Sequence, residues 1–456
     1  MSARRALIVI MVLAAALRLP TLALQSYWYD EAATVVVVKG SLGHLVHVLP
    51  DMEGNPPLYY VLAWGWSHIF GHGEVALRSL SALAGLGLVP VSFALGRRLS
   101  GQTRAGLAAA LLVACAPFLV WFSQEARAYS LMALLVALAL LFLLERRVRL
   151  WALLSVLALA THYFAALFVL PMALLVLREH RRRALVPLAA LALAAAALAP
   201  LAIHQHDHAR RSIVGSFATR AAQLPKQLLV GYHAPADRPL AVATGLLALL
   251  GLLWALRTPS ARRVLGLCAG SLAMVGMLAL AGLDYLDSRN MIFLLTPLAA
   301  VLGVGLGSRP ALIAALCAAG IAGVLIVDLN VSAQRDDWRG ALRALSPSRR
   351  PRAIVVTPGQ GYLPVLVYRA HARLQLLARP VVREIDVIGM AERATGNAPS
   401  PPPPGSVPAG FHAALVRRTP LYTVERFVTT TPLQVPASAL AAAHLGPKPP
   451  VVFLER

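Results

Sequence analysis

The stretch "RRALIVIMVLAAALRLPTLALQSYWYDEAAT", Arg4 to Thr34, decides the fold class. Two arginines precede an apolar run from Ala6 to Leu24, which gives way to aromatic residues and then to two adjacent acids, Asp30 and Glu31. About 20 apolar residues in a helix cross the hydrocarbon core of a bilayer, and basic flanks stay on the cytoplasmic side. Arg4 and Arg5 therefore lie inside, and Asp30-Glu31 emerges outside. The stretch has the layout of a cleaved signal peptide, but its apolar run continues past Arg18 and reads as a retained signal-anchor.

The rest of the chain repeats this pattern. Of 456 residues, 58% are hydrophobic and only 14% charged, and the mean hydropathy is +0.68. The apolar residues come in membrane-length blocks, so the chain is a polytopic membrane protein. A net charge of +22 would point to nucleic acid in a soluble protein. Here the basic residues fall in short loops between apolar runs, and no nucleic-acid module accompanies them, so nucleic acid is not an expected partner. Cys115, Cys268 and Cys317 each lie inside an apolar run, which suits packing rather than a disulfide framework or a metal site.

Charge flanks thread the spans. Helix two, Val75 to Leu95, ends inside at Arg97-Arg98. Helix three, Ala105 to Phe122, exits at "SQEARAYS", and helix four returns to "ERRVR" at Glu145 to Arg149. Between helices one and two, Gln25 to Gly73 is expected as an outer loop containing "GNPPLYY", Gly54 to Tyr60. Leu150 to Leu177 has basic flanks at both ends, so it should cross twice as two short helices turning near "THYFA"; one long surface helix is the rival. Further spans are expected at Ala184–Ile203, Leu240–Leu256, Val264–Leu283, Met291–Leu306 and Ala311–Leu329. The total is about eleven helices, with the N-terminus cytoplasmic and the C-terminus outside.

The fold class is thus an all-α transmembrane bundle over residues 1–329, followed by a small extracytoplasmic α/β domain over 330–456. In the latter, "DWRGALRAL" suits a helix, "AIVVTPG" a buried strand, "YLPVLVYRAH" another ordered segment, and "APSPPPPGSVPAG" (Ala398 to Gly410) an extended linker or loop.

The chemistry-bearing residues gather at the expected outer ends of spans: Asp30, Glu31, Glu125, Arg127, Tyr129, His162, Tyr163, Asp287 and Arg289. Ordinary interfacial solvation explains any one of them; a set on one membrane face is harder to dismiss. Asp30-Glu31 is the best candidate base, against a solvated loop or helix N-cap. Adjacent residues point about 100° apart on a helix, so one of the two addresses a given substrate atom. Arg127 suits a phosphate through its planar fork of donors, against a salt-bridged helix start, and Arg289 is the second clamp candidate, against a snorkelling anchor. Arg18 and His162 are the next candidates. "HQHDH" (His204 to His208) resembles a metal cluster but reads better as a mobile outer loop, and His44, His47, Asp51 and Glu53 are as weak a suggestion. A divalent cation is possible without a convincing site. Walker A, GxGxxG, GxSxG and HExxH motifs are absent.

"WYDEAAT", "NPPLYY", "LRSLSALAG", "SQEARAYSL", "HYFA", "SRNMIFLLTP" and "RDDWRGA" occur in an order and spacing that resembles the bacterial GT-C glycosyltransferases, in the family 39, protein-mannosyltransferase-like branch. The resemblance runs to about Gly340. It implies a membrane enzyme that takes a sugar from a polyprenyl-phosphate carrier and transfers it to an acceptor on the extracytoplasmic side. It also implies Asp30 as base, with Glu31 beside it, and Arg127 and Arg289 facing the donor phosphate. Eukaryotic protein O-mannosyltransferases carry a different luminal insertion, so a protein acceptor does not follow. Such a donor already has an activated leaving group, which leaves one carboxylate and one or two arginines to do the work; a single displacement inverts the anomeric centre. The alternative is a lipid-linked saccharide transporter or flippase, which would place broken helices and polar groups at mid-membrane depth.

Overall fold

A computed structural model describes residues 2–211, 213, 215–233, 237–345, 348, 351–369, 380–392 and 399–455. The chain forms two compact units, one of residues 1–22 with 37–326 and one of residues 23–36 with 327–456.

The first unit is helical. Helix α1 (Ala3–Ala16) stops short of the expected Leu24, because Pro20 donates no backbone hydrogen bond and disfavours helical geometry at Leu19. The expected outer loop is itself largely helical, with α2 (Tyr29–Val38), whose residues 29–36 belong to the second unit, and α3 (Leu42–Met52) and α4 (Leu58–Phe70) of the first. These helices are short and separated by Gly40-Ser41 and by Gly54 to Pro57, punctuation that reads as loop in the sequence. Then follow α5 (Glu74–Ser100), α6 (Thr103–Cys115), α7 (Pro117–Ser123), α8 (Tyr129–Leu144), α9 (Val148–Thr161), α10 (Ala166–His180) and α11 (Leu185–Arg211). The last of the unit are α12 (Phe217–Val230), α13 (Asp237–Ala255), α14 (Pro259–Leu280), α15 (Leu295–Leu306) and α16 (Pro310–Leu329).

Every expected span has a helix. Among the described residues six helical stretches are long and apolar enough to cross a membrane, or seven if α6 and α7, bent by 58°, form one span. One of these is the continuous stretch Tyr163–His206, while α8 and α9 are shorter apolar helices. Leu150 to Leu177 is two helices, α9 and α10, that turn at His162–Ala165, and the single surface helix is ruled out. "HQHDH" continues α11 rather than forming a loop, and the side chains of Asp207 and His208 lie outside the described residues.

Small residues let these helices approach closely. An added Cβ at Gly305 of α15 would overlap the Gly251 carbonyl of α13, and one at Gly303 would overlap the Ala105 carbonyl of α6. Backbone approach of this kind replaces the hydrophobic drive that lipid cannot supply between spans. Helix α5 starts at Glu74, ends at Arg97-Arg98 and is closed by left-handed Gly101, so charge and cap agree with the helix dipole.

The second unit is built on a five-stranded sheet, in the order β3-β4-β2-β1-β5. Its strands are β1 (Arg352–Thr357), β2 (Val381–Met390), β3 (His412–Arg418), β4 (Tyr422–Gln434) and β5 (Val451–Glu455). β1 and β2 are parallel and the other pairs antiparallel. Strand β1 is buried throughout. Its Ile354 and Val356 pack with Trp338 and Leu342 of α17 (Trp338–Ala344), whereas Ala353 and Val355 join Phe427 and Leu454 in a second core. The period-two alternation of a strand makes these two layers. Two short helices, α18 (Tyr362–Tyr368) and α19 (Ala437–Ala442), complete the unit.

Arg352 is buried among Glu384 (3.1 Å), Asp386 (2.9 Å) and Glu455 (2.5 Å), and Arg426 reaches Asp386 at 2.8 Å. Burial pushes Asp386 up to about 6 against the pull of Arg426 and Arg352. The proline-rich stretch is an extended loop fastened to the sheet: the Thr423 hydroxyl donates to Pro402 O at 2.6 Å and Arg418 to Pro401 O at 2.9 Å. Ala398 lies outside the described residues.

Candidate active site

In the first unit the motif "SQEARAYS" spans the junction of α7 and α8. Residues 124–128 form a tight turn, with the Arg127 N–H donating to Glu125 O at 2.7 Å, and α8 begins at Tyr129. Glu125 and Tyr129 are therefore not two positions of one helical turn. Arg127 is buried and offers Nη1 to both oxygens of Glu53, at 2.6 and 2.7 Å. Glu53 closes the C-terminal end of α3, and its backbone N–H donates to Leu49 O at 3.1 Å. The Arg127 guanidinium lies 6.0 Å from the centre of the Tyr60 ring in α4. Burial holds the Tyr60 phenol well above its ordinary range, with Arg127 pulling it down and Glu53 pushing it up. The Arg127 carbonyl accepts from Ser81 Oγ at 3.1 Å, and Tyr59 Oη is 3.1 Å from the same hydroxyl. "GNPPLYY" thus supplies aromatic walls for the arginine that "SQEARAYS" provides.

His162 caps the turn between α9 and α10. Its Nδ1 accepts from the Phe164 N–H at 3.3 Å, so Nε2 carries the proton; that donor is buried with no hydrogen-bond partner among the described residues. Its ring lies between Tyr129, 5.3 Å away, and Phe164, 5.4 Å away. Burial first, then Arg127 and Arg289, lower its pKa to about 3, so the ring is neutral at physiological pH. Both arginines are thus within electrostatic reach of one imidazole.

Arg289 sits in the 3-10 segment Ser288–Leu294, whose N-cap is Asp287. The Asp287 carboxylate accepts from the Arg289 backbone N–H at 3.1 Å and pairs with its Nε at 3.1 Å. Tyr232, which no sequence motif marked, bridges the parts: its hydroxyl is 3.3 Å from Ser288 Oγ, and the charges of Asp287, Arg289 and Glu125 all act on it. Burial pushes this phenol far up, so it stays protonated. The structure therefore brings together Glu125, Arg127, Tyr129, His162, Asp287 and Arg289 and adds Glu53, Tyr60 and Tyr232. Tyr163 turns to α11 instead and donates to Gln205 Oε1 at 2.8 Å.

An apolar cavity of about 330 Å³ is lined by Pro117, Leu119, Leu228, Leu252, Leu298 and Leu302, among others. Pro117 and Leu119 belong to α7, which leads into the Arg127 turn. Leu294 and Leu295, also in its wall, close the segment that begins at Ser288-Arg289. The two elements that present the arginines also line the cavity.

Asp30 and Glu31 belong to the second unit. They occupy the first turn of α2, where the helix dipole favours negative charge. Glu31 is fully buried and Asp30 half-buried. The approach to this pair is held by the C-terminal part of the same unit. Tyr27 N–H donates to Tyr368 Oη at 2.7 Å, Ser26 Oγ to Asp336 O at 2.8 Å, and the Arg335 N–H to Gln25 Oε1 at 2.8 Å. Among the described residues no group of three or more His, Cys, Asp or Glu is placed to hold a metal ion. His204 of "HQHDH" lies 2.8 Å from Asp51.

Compared with known families, residues 54–204 match the profile of the dolichyl-phosphate-mannose-protein mannosyltransferases, about a third of the chain. No curated protein matches the chain. Two solved structures of ArnT from Cupriavidus metallidurans are similar to it, each at 18% identity and a TM-score of 0.44: one bound to undecaprenyl phosphate, covering 66% of this chain, and one in the apo state, covering 68%. Each match covers 60% of the ArnT chain.

Proposed function

We propose, from the match of residues 54–204 to the dolichyl-phosphate-mannose-protein mannosyltransferase profile, that the protein is a mannosyltransferase-like GT-C enzyme that transfers a sugar from a polyprenyl-phosphate-linked donor to an acceptor hydroxyl on the extracytoplasmic side of the cell membrane. What supports this reading is that Arg127, buried, and Arg289, partly exposed, both act electrostatically on the buried His162, and that the elements leading into each arginine also line an apolar cavity. Arg127 and Arg289 hold the donor phosphate, the neutral His162 offers its Nε2–H to the same group, and the cavity takes part of the isoprenoid chain. Glu53 and Asp287 preset the two guanidinium groups, so a bound phosphate shares each arginine with an acid. Glu125 and Tyr129 complete the substrate contacts.

Asp30 is the base, with Glu31 supporting it. The carboxylate takes the acceptor proton, the acceptor oxygen bonds the anomeric carbon, and the bond from that carbon to the phosphate oxygen breaks with inversion. Polyprenyl phosphate leaves with its charge stabilised by the arginines. Membranes containing the protein, incubated with radiolabelled polyprenyl-phosphate sugars, test this. Label should leave the lipid for an acceptor; label that crosses the membrane still attached to its carrier would instead identify a transporter.

A further inference from the structure

Arg18 is fully buried, and the donor site as described makes no use of it. Its guanidinium is engaged at the break between α6 and α7. Helical continuation would close the Val113 carbonyl with the N–H of residue 117, but that residue is Pro117 and has none. Arg18 Nη2 donates to Val113 O at 3.1 Å, and Nη1 donates to Ala114 O at 2.8 Å and to Ala14 O at 3.1 Å. A cation at this position also opposes the negative end of the α6 dipole.

The same side chain reaches the far end of α7, where Nε donates to Ser123 Oγ at 3.3 Å. The contact is reciprocated: Gln124 Nε2 donates to Arg18 O at 3.0 Å and to Thr21 Oγ1 at 2.6 Å. Gly85 of α5 makes the space for this clasp. A Cβ there would overlap Ser123 Oγ and lie 3.6 Å from Arg18 Nε. Ser123 immediately precedes, and Gln124 opens, the turn that carries Glu125 and Arg127.

We propose that Arg18 is a positioning residue for the donor site: it closes the broken end of α6 and, through Ser123 and Gln124, fixes the turn that aims Arg127. Arg18 itself does not touch the phosphate. The inference rests on the proposed role of Arg127, and its test separates the two.

The protein in detergent is compared with Arg18→Lys, in which one ammonium with three donors cannot serve three carbonyls and Ser123 together. Two readouts are taken: amide hydrogen exchange along the chain, and affinity for a polyprenyl monophosphate probe. Exchange should rise at least about tenfold in residues 118–128 and stay unchanged elsewhere, as expected of a local opening. Probe affinity should fall about tenfold, because a misaimed contact group loses its alignment without leaving the site. Ser123→Ala, which removes the Nε contact along with the hydroxyl's own bond to Leu119 O, and Gly85→Ala, which displaces the Ser123 hydroxyl, should show the same pattern more weakly. They decide the matter if Arg18→Lys does not fold. Unchanged exchange in 118–128, or a rise spread evenly over the chain, overturns the positioning role. A local rise with unaltered probe affinity, in these variants and in Arg127→Lys alike, leaves the clasp standing and overturns the donor reading of the turn.

Discussion

Asp30 and the two arginines carry the proposed chemistry, and each makes a separate expectation at the residue scale. Asp30→Asn should leave membrane insertion intact and lower transfer by about 100- to 10,000-fold, the usual worth of a general base; single-turnover rates measure it. Arg127→Lys and Arg289→Lys keep the charge but lose the fork, so equilibrium binding of polyprenyl phosphate should weaken by about 1–3 kcal/mol at either site. His162 gives a pH expectation. Its pKa falls from 6.5 to about 3 on folding, so its contribution to stability is complete above pH 6.5 and is lost as pH falls toward 3, by about 1.4 kcal/mol per unit. His162→Gln should therefore show a smaller drop in Tm than the wild type when pH is lowered from 6.5 to 4.5. The sequence displayed Arg127, Arg289 and Asp287 but not the pairing of Arg127 with Glu53. Glu53 is buried against Arg127 across 74 positions, and nothing in local spacing joins them; its place directly before "GNPPLYY" is the only signal. Arg18, a reserve candidate for the phosphate, turns out to hold backbone carbonyls, because Pro117 removes a donor that a hydropathy reading does not count.

Among the elements, the spans were legible because apolar length and basic flanks are written into the chain. Even the awkward Leu150 to Leu177 resolved into α9 and α10 on charge alone. Less legible were α2, α3 and α4, whose short lengths and Gly/Pro punctuation read as loop, and the stop of α1 at Ala16, which Pro20 imposes. Packing between spans depends on glycines whose partners lie far away in sequence. Gly305 is the sharpest case, since a methyl group there would meet the Gly251 carbonyl, which is backbone and cannot swing aside. Gly305→Ala should cost about 1–3 kcal/mol through overpacking, read as a lower Tm of the purified protein, whereas Gly276→Ala, where nothing lies within 4 Å, should be silent.

For the whole molecule, the division into units makes the C-terminal region more than an appendage. Residues 23–36, with the proposed base, belong to the same compact unit as residues 327–456, and Tyr368 accepts the buried Tyr27 N–H just upstream of it. Tyr368→Phe removes that acceptor and should slow transfer without changing affinity for polyprenyl phosphate. This arrangement was hidden from the sequence because 341 positions separate Tyr27 from Tyr368. From the charge pattern we expect the C-terminus outside the cell membrane, and a reporter active only outside the cytoplasm should then work when fused after Arg456. The central claim is transfer from a lipid phosphate, and its most direct test is one experiment on purified protein. Wild type and Asp30→Asn are each mixed with a radiolabelled polyprenyl-phosphate sugar and extracted acceptor material, and release of label from the lipid is followed. The account predicts release by the wild type, into product of inverted anomeric configuration, and almost none by Asp30→Asn; equal release by both, or none by either with every donor sugar tried, would contradict it.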